Sequence, residues 1–208
     1  MVKFKKKSLS GSSKRWIQRH HNDDLVLKAK SLGFRSRAVF KLDEIDKKIK
    51  FLKKKDNILD LGASPGSWSQ FLVKKGFKNI LAVDILNMDP ISEVIFIAGD
   101  FTEEKIQDEI KYHINTKVDV VMSDMAVNTT GIKNIDSIQT GELCKEAMFF
   151  AKDQLKDSGY FISKIFMGGT FNEIVAEGKK YFKDVKVFKP KSSRKDSKES
   201  FIICQKLR

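Results

Sequence analysis

Cysteine and histidine are scarce in this 208-residue chain, with two of the first and three of the second. Cys144 and Cys204 have no ligand-like spacing and no histidine cluster beside them, so a structural zinc site is not expected, and no other metal is. Both lie in apolar surroundings and read as small buried hydrophobes. Long apolar runs are missing as well. No segment reaches membrane-spanning length, and the basic start lacks the apolar stretch of a secretion signal. Acidic residues are absent from residues 1–20, which carry Lys3, Lys5, Lys6, Lys7, Lys14, Arg15 and Arg19. Absent too is any Gly-x-Gly-x-x-Gly turn, the fingerprint of a dinucleotide-binding oxidoreductase.

What is present begins with charge. The formal net charge is +13, and the excess is uneven. A second basic segment runs through Lys183, Lys186, Lys189, Lys191, Arg194, Lys195 and Lys198, against only Asp184 and Asp196. Clustering of this kind points to a polyanion, most simply the phosphates of nucleic acid. A solvated lysine-rich surface is the plainer reading of the same residues. The acid-free, serine-containing start fits an organelle transit sequence or a disordered RNA-binding arm equally well, and the cytosol is the default location.

The chain suits one sizeable domain. Residues 1–14 have almost nothing to bury and read as disordered. Asn22 as N-cap and Gly33 as stop predict a helix near 22–32. A second helix is predicted over about 36–49, with Val39, Leu42, Ile45 and Ile49 as its buried stripe and Lys41 at the stripe's edge. Beyond residue 56 strands alternate with helices. Apolar runs at 57–61, 79–83, 94–98, 118–122 and 160–165 read as buried parallel strands, with helices near 67–75, 103–115, 138–156 and 171–181. Strands at 185–188 and 200–204, separated by the basic loop, form a closing antiparallel hairpin. The pattern is that of an α/β protein with a doubly wound, mostly parallel Rossmann-like sheet and no internal repeat.

In such a sheet ligands collect at the carboxyl ends of the strands. Asp60, Asp84, Asp100 and Asp124 end the first four apolar runs, although helix capping would explain Asp100 alone. The first run leads into Asp60-Leu61-Gly62-Ala63-Ser64-Pro65-Gly66-Ser67-Trp68-Ser69, a cofactor-type turn in which glycine lets a ligand approach the backbone. An acid after the second strand, here Asp84, suits ribose hydroxyls. Lys164 is anomalous: a lysine between Ile162 and Phe166 in a central strand is costly to bury unless its charge is offset or lost, or it snorkels from the strand end.

Five separated segments carry a family resemblance. They are Phe34-Arg35-Ser36-Arg37-Ala38-Val39-Phe40-Lys41-Leu42-Asp43-Glu44-Ile45, Asp60 through Gln70, Ser123-Asp124-Met125-Ala126, Lys164-Ile165-Phe166, and Lys189-Pro190 through Ser192-Ser193-Arg194 to Glu199. With an early Ser-Ser-Lys-Arg-Trp at 12–16, the chain resembles the FtsJ/RrmJ-type ribosomal RNA large-subunit 2′-O-ribose methyltransferases, the RlmE family, over essentially its whole length. The resemblance implies the class I methyltransferase fold, S-adenosylmethionine as methyl donor, and a catalytic tetrad at Lys41, Asp124, Lys164 and Glu199. It implies cofactor contacts at Gly66, Trp68, Asp84, Asp100 and Asp124. It also implies a flexible RNA-binding arm at 1–20 and a single methyltransferase domain at 21–208, acting as a monomer. The substrate it implies is a uridine ribose in the A loop of large-subunit rRNA, within the ribosomal particle. Val127 stands where the family usually has proline, Ser64 and Ser67 replace the more usual Ala and Gly, and Val39 replaces a common aromatic. None removes a group that the reaction needs.

Methyl transfer to a ribose hydroxyl needs in-line geometry and removal of a proton. Lys164 is the expected base, with Lys41 as its cationic neighbour. Asp124 and Glu199 orient the two amines, and the cluster titrates as a unit. In a rival role Lys164 stays charged and steers the hydroxyl. Trp68 serves equally well as core, and Glu199 alone would pass for an exposed loop acid. Amine methylation would bring Asn/Asp-Pro-Pro-aromatic where this chain has Asp124-Met125-Ala126-Val127. Cytosine carbon methylation would need a cysteine in a Pro-Cys context. The same chemistry on tRNA, and a non-catalytic RNA-binding ribosome assembly factor, remain as alternatives.

Overall fold

A computed structural model describes residues 23–126, 133–194 and 196–208. The expected N-terminal arm and its Ser-Ser-Lys-Arg-Trp motif, Val127 and Lys195 lie outside the described residues. The elements run α1 (Asp24–Ser31), α2 (Val39–Ile49), β1 (Asn57–Leu61), α3 (Ser67–Lys74), β2 (Asn79–Asp84), β3 (Val94–Ala98), α4 (Glu104–Ile114), β4 (Val118–Ser123), α5 (Lys133–Gln154), β5 (Leu155–Phe166), α6 (Phe171–Tyr181), β6 (Phe182–Phe188) and β7 (Glu199–Leu207). The seven strands order as β3-β2-β1-β4-β5-β7-β6. The first five are parallel, and β7 runs antiparallel between β5 and β6. This is the expected doubly wound sheet with its closing hairpin.

Strand alternation sorts the core into two layers. Leu59, Leu61, Val121, Phe161, Ile165, Ile202 and Cys204 pack with α4, α5 and α6 on one face. Ile58, Val120, Met122, Ile162, Phe201 and Ile203 pack on the other, against Val39, Leu42 and Ile45 of α2 and Trp68, Phe71 and Leu72 of α3. Parity therefore assigns Asp60, Lys164 and Glu199 to the α2 side of the sheet, with Asp124 just past the end of β4. Five ionisable residues, Lys41 of α2 included, converge on one face. Cys144 and Cys204 are buried free thiols, and burial pushes the Cys144 thiol up to about 12.

Local departures have identifiable causes. The N-cap of α1 is Asp23, one residue beyond the expected Asn22; its carboxylate accepts the Leu25 amide at 3.1 Å and suits the positive helix end. Gly33 ends the turn at φ 71°, as the pattern required. Strand β5 starts at Leu155, five residues early, because polar Lys156-Asp157-Ser158-Gly159 reads as a turn. Those residues occupy a register shift between the Val118–Leu155 and Val120–Tyr160 pairs, a bulge that a period-two pattern hides. Strand β6 likewise begins at Phe182, which is buried and stacked on Phe161 with ring centroids 6.3 Å apart. Among the described residues no helix is long and apolar enough to cross a membrane.

Candidate active site

Lys41, Asp124, Lys164 and Glu199 meet in one hydrogen-bonded cluster. Lys41 lies in the first turn of α2, with its stem against the sheet and its Nζ 5.9 Å from the centre of the Phe201 ring. Its Nζ donates to Glu199 Oε2 at 2.8 Å and, more weakly, to both Asp124 oxygens at 3.4 Å. Lys164 pairs with Phe201 across β5 and β7, and Glu199 opens β7 opposite Phe166. Lys164 Nζ donates to Asp124 Oδ1 at 2.9 Å and to the Asp124 carbonyl oxygen. Ser193 Oγ donates to the other Glu199 oxygen at 2.8 Å. Asp124 is thus the hub, and its Oδ1 receives both ammonium groups.

Charge inside the cluster is balanced, two against two. The side chains are 9–16% exposed, so the attraction is little screened by water. Burial works against the charge on Lys41, but Asp124 and Glu199 outweigh it and hold the ammonium above its ordinary value of 10.5. Burial likewise opposes ionisation of Asp124; Lys164 and then Lys41 reverse that and hold its carboxyl below 3.8. Lys41 is therefore a fixed cation and Asp124 a fixed anion.

Beside the cluster, at the carboxyl ends of β1, β2 and β4, lies a cleft of about 540 Å3. That is a ligand-sized volume. Asp84, Asp100 and Asp124 line it together with Gly62, Ser64 and apolar Ile85, Leu86, Phe101 and Met125. Ile85 and Leu86 are 70% and 63% exposed, large apolar groups left uncovered at its mouth. Asp84 accepts the Ser64 amide and the Leu86 amide, both at 2.8 Å, tying the turn after β1 to the turn after β2. Asp100 does not cap α4, whose N-cap is Glu103; its Oδ1 accepts from the Thr102 amide and hydroxyl. A second cavity, about 570 Å3, lies among α4, α5 and α6 and shares only Phe101 with the cleft. It contains none of the four clustered residues, whereas Asp124 lines the strand-end cleft.

The other expected cofactor residues sit differently. Trp68 is 3% exposed, donates its indole N–H to the Ala38 carbonyl at 2.9 Å and packs on Phe201, 5.8 Å between ring centres. It borders a small void of about 40 Å3 with Asp60, Ser67 and Asp124. Gly66 is the N-cap of α3 at φ 101°, and a Cβ there would lie 2.7 Å from Ile91 Cδ1 and 2.8 Å from an Arg35 nitrogen. Its glycine is explained by packing and helix entry. Gly62, which lines the cleft, sits at φ 74°, where a Cβ would fall 2.1 Å from Met125 Cγ.

Asp60 is a strand-end acid in the sequence, outside the tetrad and the cofactor contacts that the resemblance implies. It is 1% exposed, accepts the Ser69 hydroxyl at 2.8 Å and lies in the same void as Asp124. Desolvation, only partly offset by Ser69, raises its pKa to about 7. An acid inside an apolar run was the available signal. Among the described residues no group of three or more His, Cys, Asp or Glu side chains is placed to hold a metal ion.

Comparison with known proteins places the chain in a family. Residues 34–207 match the FtsJ-like methyltransferase family. The chain is 56% identical, over 94% of its length and 97% of the relative's, to the ribosomal RNA large subunit methyltransferase E of Pelagibacter ubique. It is 46% identical to the protein of that name from Rickettsia felis, over 96% of this chain and 90% of the other. A solved structure described as a ribosomal RNA methyltransferase of Plasmodium falciparum superposes with a TM-score of 0.75 at 34% identity, covering 84% of this chain and 98% of that one. Matched from residue 34 to residue 207, and more than half identical to a relative over nearly the whole of both chains, the chain belongs to the FtsJ-like methyltransferase family.

Proposed function

We propose that this protein transfers a methyl group from S-adenosylmethionine to a ribose 2′-hydroxyl of RNA, acting in the cytosol on a uridine in the A loop of large-subunit rRNA within the assembled particle. The observation that carries the reading is the contact of Lys41 and Lys164 with one carboxylate oxygen of Asp124, at the edge of the strand-end cleft. The names of the relatives support ribosomal RNA as substrate class. The nucleotide follows from the family resemblance.

The residues present fit the donor. Three carboxylates suit a cation that also carries hydroxyl and amino groups, and the uncovered apolar rim suits a flat base. Ile85 and Leu86 would cover the adenine, Asp84 the ribose hydroxyls and Asp100 the base edge, with Gly66 and Trp68 shaping the turn behind them. When bound, the sulfonium supplies an activated methyl group.

This chain's own residues do the rest. Asp124 holds both amines in place, and Glu199 fixes Lys41 from the other side. Lys41 keeps its charge and stabilises negative charge developing on the attacking oxygen. Lys164, once its ammonium has released a proton to water, accepts the hydroxyl proton; general-base help of this kind contributes about 10²–10⁴ in rate. The N-terminal arm and the basic 183–198 segment grip phosphates, giving an affinity that falls steeply with salt.

The test is transfer of labelled methyl from the donor to large ribosomal subunits and to naked rRNA, followed by mapping of the label. Label on a ribose 2′-oxygen in the A loop of subunits is the expected result. Label on a base, or RNA binding with no label at all, refutes the proposal.

A further inference from the structure

The loop that delivers Glu199 is held by the same helix that carries Lys41. Glu44 follows Lys41 by three residues on α2, so the two side chains leave one side of the helix. Glu44 Oε2 accepts the Lys191 amide at 2.6 Å, and its Oε1 accepts the Ser192 amide at 2.9 Å. One turn before Lys41, Arg37 donates to the Ser192 carbonyl and pairs with Asp23. Ser192, 4% exposed, is gripped at both its N–H and its C=O. The next residue, Ser193, places its hydroxyl on Glu199. Lys189 Nζ, on the Ser197 carbonyl at 2.8 Å, closes the base of the loop.

We propose that Glu44 is a positioning residue for the catalytic cluster: its two-pronged grip on the Lys191 and Ser192 amides sets Ser193, and through it the Glu199 carboxylate that fixes Lys41. The inference rests on the functional reading above. A carboxylate accepting two backbone N–H groups is a charge-assisted, directional clamp. The loop holds the Glu199 carboxylate through the Ser193 hydroxyl and the Glu199 backbone N–H through Ser197 Oγ at 3.1 Å. Glu44 itself touches neither Lys41 nor Asp124 among the contacts of the cluster, so it acts through the loop.

The experiment uses the full chain with labelled donor and ribosomal subunits, comparing wild type, Glu44→Ala, Glu199→Gln and the double variant. Glu44→Ala should lower kcat about tenfold, the size of one lost charge-assisted hydrogen bond, with KM for the donor unchanged. The double variant should be no slower than Glu199→Gln alone, because both changes act through one carboxylate. A second readout needs no turnover: the Lys41 ammonium, titrated by NMR in the free protein, should lose part of its raised pKa in Glu44→Ala. Effects that multiply in the double variant, or an unchanged Lys41 titration, would overturn the proposal and leave Glu44 a loop brace. Should wild type transfer no methyl, the functional reading falls while the titration still decides the clamp. If Glu44→Ala fails to fold, Glu44→Gln retains one acceptor oxygen and carries both readouts at reduced size.

Discussion

Replacing Asp124 with asparagine keeps the shape of the hub and removes its charge. In the native protein this carboxylate faces Lys164 at 2.9 Å and Lys41 at 3.4 Å, with all three side chains no more than 16% exposed. Removing one partner of a buried ion pair costs about 3–5 kcal/mol, because the remaining charges stay buried without compensation. Glu199 still neutralises Lys41, and some water reaches the cluster, so the lower figure, about 3 kcal/mol, applies here. For a chain of this size that is a fall in Tm of about 6–12 °C. The loss should also depend on pH. The folded carboxyl titrates below its ordinary 3.8, so its contribution is present above that value and is lost as pH falls through the lower, folded pKa. Urea unfolding of both proteins from pH 2.5 to 7 should show a gap in stability that narrows below about pH 4. Equal stability at pH 7, or a gap constant across the acid range, would refute the reasoning.

Three further outcomes follow from the same geometry. Burial raises the folded pKa of Asp60 to about 7, so wild type carries a growing penalty as pH rises from 3.8 to that value. Asp60→Asn should therefore become progressively more stable than wild type across pH 4–7, by at most a few kcal/mol, with a constant gap above; urea midpoints measure it, and a flat gap would count against the buried-charge argument. Gly62→Ala should lose about 1–3 kcal/mol, since its Cβ meets Met125 Cγ at 2.1 Å and φ is 74°. Adding Met125→Ala should recover the clash but not the backbone strain, as thermal melts will show; full recovery, or none, contradicts this division. Lys191 is exposed, and Lys191→Ala should weaken RNA binding for every sequence alike and reduce the salt slope by about one, whereas an unchanged slope removes it from the phosphate-binding surface.

Much of the fold could be read from local pattern, because strands buried on both faces are runs of Ile, Leu and Val. Lys164 announced itself by interrupting such a run, and Asp124 by ending one. Lys41 sits at the edge of its helical stripe, the position from which its amine reaches Asp124 and Glu199 while its stem packs. Glu199 had no local signal of its own. It lies 158 residues from Lys41, among serines and lysines that resemble any exposed loop, and only the family resemblance singled it out. Glu44 and Arg37 are hidden for the same reason, since they grip backbone groups of residues 191 and 192, far away in the chain. Asp60 shows the converse: its position was legible, but its role depends on burial that no spacing reveals. The bulge in β5 escaped because a glycine among polar residues marks a turn as readily as a strand irregularity.

Single-turnover methyl transfer by Lys164→Arg, with donor and ribosomal subunits both saturating, addresses the catalytic arrangement head-on. Arginine keeps the positive charge beside Asp124 but cannot release its proton. A rate at least about 10² below wild type, with donor and RNA still bound, is the outcome required if Lys164 accepts the ribose proton. Turnover within a few-fold of wild type would mean that Lys164 only steers the hydroxyl, and the proton must leave by another route.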